Sequence, residues 1–320
     1  MDNRSQISRR LEEVLRRGEL LVDAPMAEYT TFKAGGSADL LAVPGSTDEL
    51  QETLRVLHEA QCPFMILGRG SNILVRDGGY RGVLVRISSC CSEMTGTGPD
   101  FVFGAAVSLA AASRYVQDHD CTGFEFAGGI PGSIGGAAFM NAGAYGGEMK
   151  DVVRRVHLLR RDGSERYVLS GAEMEFRYRH SVLCESGDVV TAVEMHLEAG
   201  EPALIAAKMK TLQERRSSRQ PLSYPSAGSF FKRPTGYYAG KLVQDAGCKG
   251  LSVGGAQIST QHAGFMINTG GATATDIEQL MHLVQARVRE RFGVMLEPEV
   301  RIIGEAAPGG TAAAAPGRSE

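Results

Sequence analysis

Gly128-Gly129-Ile130-Pro131-Gly132-Ser133-Ile134-Gly135-Gly136-Ala137-Ala138-Phe139-Met140-Asn141-Ala142-Gly143-Ala144-Tyr145-Gly146-Gly147 decides how the rest of the chain is read. Eight of these twenty residues are glycine, in a chain with 40 glycines among 320 residues, where about 7% is ordinary. Such a stretch cannot owe its order to its own side chains, so its backbone is shaped around another chain segment or a closely approaching ligand. Ile130, Ile134, Phe139, Met140 and Tyr145 set it apart from a flexible glycine linker.

A second glycine loop, Gly68-Arg69-Gly70-Ser71-Asn72, follows the apolar run Phe64-Met65-Ile66-Leu67. Glycine tolerates the positive φ that lets successive backbone N–H groups point outward as an anion nest, and Ser71 and Asn72 add donors suited to a pyrophosphate. Position 73 is Ile, so the third glycine of a dinucleotide fingerprint is missing, and taken alone the loop reads as a tight turn.

Around these loops the patterns alternate between helix and strand. Residues 5–17 form an amphipathic stripe of Ile7, Leu11, Val14 and Leu15 stopped by Gly18, expected on the surface. Ser46-Thr47-Asp48-Glu49 reads as a capping box ahead of Leu50, Leu54 and Leu57. Short strands follow at 64–67, 73–75 and 83–85, and a helix near 108–118. Val156-His157-Leu158-Leu159 and Arg166-Tyr167-Val168-Leu169 flank Asp162-Gly163 as a hairpin, and Val193, Met195 and Leu197 alternate with polar residues. A helix returns at about 203–217 and breaks at Gln220-Pro221. A second capping box, Thr275-Asp276-Ile277-Glu278, opens a helix that closes at Gly293, and the strand Val300-Arg301-Ile302-Ile303 ends the folded part. Residues 305–320 have nothing to bury and are expected to be disordered.

Thirty-four Lys and Arg against 37 Asp and Glu, net charge −3, leave no face dominated by one sign, which argues against a nucleic-acid partner. No apolar run approaches the roughly 18–20 residues that a bilayer requires, and the charged N-terminus lacks an apolar signal core, so membrane insertion is not expected and a cytoplasmic location is. Six cysteines at 62, 90, 91, 121, 184 and 248 contain no C-x-x-C pair and no zinc spacing; they read as reduced thiols, and no metal site is expected.

The two glycine loops, then Tyr178-Arg179-His180-Ser181, then Pro225-Ser226-Ala227-Gly228-Ser229-Phe230-Phe231-Lys232-Arg233-Pro234, then Glu297-Pro298-Glu299-Val300-Arg301 occur in an order that resembles the UDP-N-acetylenolpyruvoylglucosamine reductase family, flavoenzymes of peptidoglycan precursor synthesis. The likeness runs from about Tyr29 to Gly304. It implies an α+β chain: an FAD-binding fold of the vanillyl-alcohol-oxidase/PCMH type at 29–204, in subdomains of about 29–90 and 91–204, then an α+β substrate-binding domain at 205–304. Residues 1–28 would be an N-terminal helical segment, and the last strand would stay with the substrate domain or return to the FAD domain. Only Thr235-Gly236-Tyr237-Tyr238 separates Pro234 from Ala239, which looks like the shorter subclass without the inserted tyrosine loop; Arg233 stands where some members carry Asn.

The resemblance further implies reduction of an enolpyruvyl ether to a lactyl ether by NADPH through noncovalent FAD, on a UDP-sugar. Hydride adds to the β carbon, negative charge builds on the α carbon and carboxylate, and the site must stabilise that charge and then deliver a proton. Arg179 would grip the carboxylate, Ser229 would give the proton, and Glu299 would be the third catalytic residue. From the residues alone, Arg179 reads as a solvated arginine, Ser229 as a cap or turn, and Glu299 as an edge carboxylate paired with Arg301 or Lys241. The residues expected around the cofactor are Gly68, Arg69, Gly70, Ser71, Asn72, Gly128, Gly129, Ile130, Pro131, Gly132, Ser133, Gly136, Asn141 and Gly143. Tyr178, Arg216, Arg219, Lys232, Arg233 and Lys241 are the candidates for holding substrate, the basic ones toward its diphosphate. His180 and His262 are expected to be structural. Two other readings remain open: a different FAD-dependent alcohol or hydroxy-acid oxidoreductase on the same fold, and a sugar-nucleotide binder without catalysis.

Overall fold

The structure, a computed structural model, describes residues 3–307. The described residues divide into two compact units, one formed by 3–23, 40–71 and 82–223, the other by 24–39, 72–81 and 224–307.

In the first unit the helix Asn3–Val14 buries Ile7 and Leu11, with Leu15 just beyond it, against the helix Thr47–Glu59 and leaves Ser5, Gln6, Arg9, Glu12 and Glu13 exposed, an amphipathic helix lying on the surface of the core. Thr47–Glu59 starts at Ser46, whose side chain accepts from Glu49 N. The reciprocal half of the box is absent: the Glu49 carboxylate accepts instead from Gly45 N at 2.8 Å and Arg17 N at 2.7 Å, tying the end of the first helix to the start of the second. Leu50, Leu54 and Leu57 are fully buried, each worth about 1.5–3 kcal/mol of burial. A four-stranded sheet runs in the order Glu19–Pro25, Ser37–Val43, Tyr80–Arg86, Phe64–Leu67, its last pair parallel. A five-stranded antiparallel sheet runs in the order Arg166–Ser170, Val153–Leu159, Val189–His196, Asp100–Gly104, Met94–Thr97. Its first hairpin turns at Asp162-Gly163 as the sequence reads, with Gly163 at φ +73°.

The second unit has a four-stranded antiparallel sheet, Ser226–Ser229, Phe265–Asn268, Ala256–Ile258, Ser252–Val253, packed against the helix Ala274–Phe292. That helix buries Ile277, Leu280, Met281, Val284 and Val288 over Phe230, Phe231 and Met266. Its cap lies two residues before the expected Thr275: Thr273 and Asp276 form the box. Asp77 is the cause, because its carboxylate accepts from Ala274 N, Thr275 N and Thr275 Oγ1 at 2.8, 2.8 and 2.6 Å, while Glu278 pairs with Arg76 at 3.0 Å. A segment about 200 residues upstream thus fixes where the helix begins.

The units do not follow the expected division at 204/205. The helix Pro202–Arg219, expected to open the substrate domain, belongs to the first unit, while 29–39 and 72–81, expected in the FAD domain, belong to the second. The last strand, Arg301–Ile303, pairs in parallel with Ile73–Val75, and both lie in the second unit. Glu305 bridges Gly79, so the chain is still ordered where a disordered tail was expected to start; residues 308–320 of that expectation lie outside the described residues.

Glu125 anchors Pro202–Arg219. Its side chain is 3% exposed and accepts from Thr122 Oγ1 at 2.6 Å, Gly123 N at 3.0 Å and Lys208 Nζ at 3.0 Å. Burial pushes its carboxyl up, but the hydrogen bonds from Thr122, its own backbone, Lys208 and Gly123 outweigh burial and leave it below the ordinary glutamate value. A carboxylate depressed in the folded state stabilises fully above its unfolded value of about 4.3, and that contribution drains as pH falls through the folded value. Glu125→Gln should therefore lower stability by about 3 kcal/mol at pH 7, with the gap to wild type closing below pH 4. Denaturant melts at the two pH values check this, and a pH-independent gap would contradict the assignment.

Candidate functional site

The strand Phe64–Leu67 delivers the chain into the first glycine loop, where Gly70 takes φ +65°. The two loops quoted above, separate in sequence, meet in the first unit. A Cβ on Gly68 would stand 2.7 Å from Ser133 Oγ, and one on Gly132 would stand 3.3 Å from Ser71 Oγ. Ser133, 3% exposed, also caps the helix Ile134–Met140 by accepting from Gly136 N. Gly68, Ser71, Gly132, Ser133 and Gly136 are thus brought together as expected.

Gly129 is glycine because Arg216 lies across it: a Cβ there would be 2.8 Å from Arg216 Cδ and 2.9 Å from Nη1. Burial pulls the Arg216 guanidinium below the ordinary arginine value, with Tyr145 acting in the opposite sense. Among the described residues Arg216 has no ion-pair partner. A partly desolvated cation without a carboxylate suits an anionic group brought by a ligand, and it sits on the glycine segment expected to carry a dinucleotide. The glycine loops and Arg216 therefore fit the pyrophosphate of FAD.

Not every glycine of the stretch is of this kind. A Cβ on Gly135 would sit 2.8 Å from Ala105 Cβ, one on Gly143 would sit 2.7 Å from Glu148 Cγ, and Gly147 faces the Phe126 ring, so these three serve chain packing. Asn141, expected at the cofactor, is fully buried with its carboxamide spent on protein. Its Nδ2 donates to Glu148 Oε2 at 2.9 Å and to the Arg177 carbonyl at 3.0 Å, and its Oδ1 accepts from Lys150 N at 2.9 Å. Asn72 likewise donates through Nδ2 to the Glu299 carbonyl at 3.2 Å. Arg69 is exposed, as is Pro131; Gly128 and Ile130 are half-buried.

Arg179 occupies a two-residue turn closed by Arg177 N donating to His180 O at 3.1 Å and His180 N to Arg177 O at 3.2 Å. It stands at φ +54°, a left-handed conformation that an arginine adopts only when its surroundings impose it. Its guanidinium lies 4.8 Å from the Tyr178 ring centre and donates to the Gly143 carbonyl at 3.4 Å. Ser181, which the sequence reading gave no role, is fully buried and donates to Phe139 O at 2.6 Å. The only sequence signal for it was its place in Tyr178-Arg179-His180-Ser181. His180 Nε2 lies 3.4 Å from Glu185 Oε1.

In the second unit, Ser226 pairs with Ile267 and Ser229 with Phe265, with a register shift between them. The shift is a bulge around Gly228, at φ +75°, and bulges re-aim the side chain that follows. Ser229 comes out exposed while Phe230 and Phe231 are buried at 1% and 4%. The strand's continuation binds the Glu297-Pro298-Glu299 segment: Glu299 N donates to Phe230 O at 2.8 Å, Lys232 N donates to Glu297 O at 2.9 Å, and Phe231 bridges Pro298. Glu299, 70 positions from Ser229, is thereby held opposite Phe230, the residue that follows it.

The basic residues expected as one group do not form one. Arg216 and Arg219 belong to the first unit, and Lys232, Arg233 and Lys241 to the second. Lys232 pairs with Glu297 at 3.3 Å, Lys241 with Asp245 at 2.6 Å, and Arg233 stacks 4.0 Å over Tyr238 while donating to Tyr237 O. Arg219 is exposed. His262 is structural, accepting from Gly264 N at 3.0 Å. All six cysteines are free thiols, and no cluster able to hold a metal occurs among the described residues. No helix among them is long and apolar enough to cross a membrane.

An FAD-binding domain model matches residues 38–167. With the paired α+β layers and the meeting glycine loops, this makes the protein an FAD-dependent oxidoreductase. The model of the UDP-N-acetylenolpyruvoylglucosamine reductase C-terminal domain matches 220–303. UDP-N-acetylenolpyruvoylglucosamine reductase of Caldanaerobacter subterraneus subsp. tengcongensis is 49% identical over 296 residues, 92% of this chain and 97% of the relative. The Geobacillus kaustophilus reductase is 45% identical over 305 residues, 95% of this chain and all of its own length. The crystal structure of the Thermus caldophilus enzyme superposes with a TM-score of 0.76 at 32% identity, covering 89% of this chain and 98% of that one. The chain belongs to the UDP-N-acetylenolpyruvoylglucosamine reductase family.

Proposed function

We propose that this protein reduces the enolpyruvyl ether of UDP-N-acetylglucosamine enolpyruvate to UDP-N-acetylmuramate, a cytoplasmic step of peptidoglycan precursor synthesis, with NADPH as reductant. The observation that supports the reading is the pairing of Phe230–Lys232 with Glu297–Glu299, which ties the segment carrying Ser229 to the segment carrying Glu299 in a chain of this family. FAD, when bound, supplies hydride for the β carbon after taking electrons from the nicotinamide.

The chain's own residues do the rest. The Arg179 guanidinium holds the substrate carboxylate at two points and stays charged as negative charge develops there. Ser229 Oγ hands its proton to the α carbon; a serine hydroxyl is a weak acid in water, so it serves only against a strongly basic carbanion with water kept out. Glu299 serves as the third catalytic residue, and Lys232 or water restores the serine's proton. Gly68 to Ser71 and Gly128 to Ser133 hold the cofactor, with Arg216 against its pyrophosphate.

The test is substrate-dependent NADPH oxidation by the purified yellow protein. Absorbance at 340 nm should fall only when the enolpyruvyl nucleotide is added, and acid should release FAD into the supernatant because neither glycine loop contains a His or Cys tether. Turnover of alcohols with oxygen, or flavin retained in the pellet, would overturn the reading.

A further inference from the structure

The Asn141 side chain is fully buried and its carboxamide is spent on protein partners. The turn that carries Arg179 is pinned to one short stretch of chain, 139–143, from both ends and from its tip. Asn141 Nδ2 donates to the carbonyl of Arg177 before the turn, Ser181 Oγ donates to Phe139 O after it, and the Arg179 guanidinium itself reaches Gly143 O. Asn141 and Arg179 are both left-handed, at φ +47° and +54°. A left-handed arginine persists only where its surroundings over-determine it. Asparagine suits position 141 on two counts. It tolerates the left-handed region as the cap of Ile134–Met140, and its short carboxamide offers two donors and an acceptor where Glu148, Arg177 O and Lys150 N demand them.

We infer that Asn141 is a positioning residue for Arg179: it holds the turn so that the guanidinium is presented in one geometry. The inference rests on the reading of Arg179 as the carboxylate-gripping residue. A glycine at 141 keeps the backbone conformation and removes the three hydrogen bonds; an aspartate keeps the size and the bond from Lys150 N but sets a second carboxylate where Nδ2 faced Glu148.

Asn141→Gly in the holoenzyme should cost about 10²-fold in turnover, the scale of a misplaced catalytic group. NADPH-driven bleaching of the flavin, which does not involve Arg179, should stay within about twofold. Asn141→Asp should show a deficit that shrinks as pH falls, because protonating one of the two facing carboxylates restores a donor; the Asn141→Gly deficit should be flat with pH. In an Arg179→Ala background Asn141→Gly should cost nothing more, since the two act as one unit. Multiplying losses in the double variant, or both half-reactions falling together with loss of flavin, would make Asn141 a cofactor or merely structural residue and overturn the inference. Full turnover in Arg179→Ala alone would instead sink the reading of Arg179.

Discussion

Ser229→Ala should leave NADPH reduction of the bound flavin within about twofold of wild type and slow reoxidation by the enolpyruvyl substrate by about 10³-fold or more. The two halves differ because only the second needs a proton at the α carbon, and removing a positioned general acid costs about 10²–10⁴-fold. The substitution is structurally mild. Ser229 is exposed, its strand partner is Phe265, and the bulge that aims it is set by Gly228 and the Ser226–Ile267 pairing, none of which alanine disturbs. Stability should move by no more than about 0.5 kcal/mol. Stopped-flow absorbance at the flavin band follows each half separately. If both halves slow together, Ser229 is shaping the strand end; if neither slows, Glu299, held opposite Phe230, is the first replacement to try as donor.

How far the site could be read from sequence depends on the range of the forces that build it. Local signals were sufficient for the helix after Ser46, where a cap and a 3.6-residue apolar repeat coincide, and for the hairpin at Asp162-Gly163. They were insufficient for the start of the helix Ala274–Phe292, because Asp77 binds its first N–H groups and moves the cap to Thr273. The division into units was hidden for a similar reason: segments 24–39 and 72–81 join the second unit through Phe32, Leu74 and the pairing of Ile73–Val75 with Arg301–Ile303, none of which leaves a compositional mark. Density of glycine singled out the segment 128–147, yet it could not say which glycines are required by chain packing. Gly135 and Gly147 turn out to face Ala105 and Phe126, while Gly129 faces Arg216. Ser229 and Glu299 each carried an ordinary structural reading; only the likeness to a family linked them, and the pairing of Phe230–Lys232 with Glu297–Glu299 that ties their segments left no local mark.

Arg179→Lys should be as damaging as loss of the group, lowering turnover by about 10²–10³-fold, the cost of removing one stabilising donor at a developing oxyanion. Charge is retained, so a purely Coulombic role would predict a small effect. The structure gives three reasons for a large one. A guanidinium grips a carboxylate through two parallel N–H bonds, which an ammonium cannot do. The Arg179 guanidinium is also poised by the Tyr178 ring and the Gly143 carbonyl, and lysine's rotating head makes poor use of both contacts. Its backbone is held left-handed at φ +54°, so the residue cannot relax along the chain to bring a differently shaped head into place. The loss should appear in substrate-driven flavin reoxidation, with KM for the enolpyruvyl nucleotide rising less than kcat falls, because the grip tightens as charge moves onto the carboxylate. A variant that instead raises KM with kcat intact would make Arg179 a ground-state anchor, and one with wild-type values in both would remove it from the chemistry.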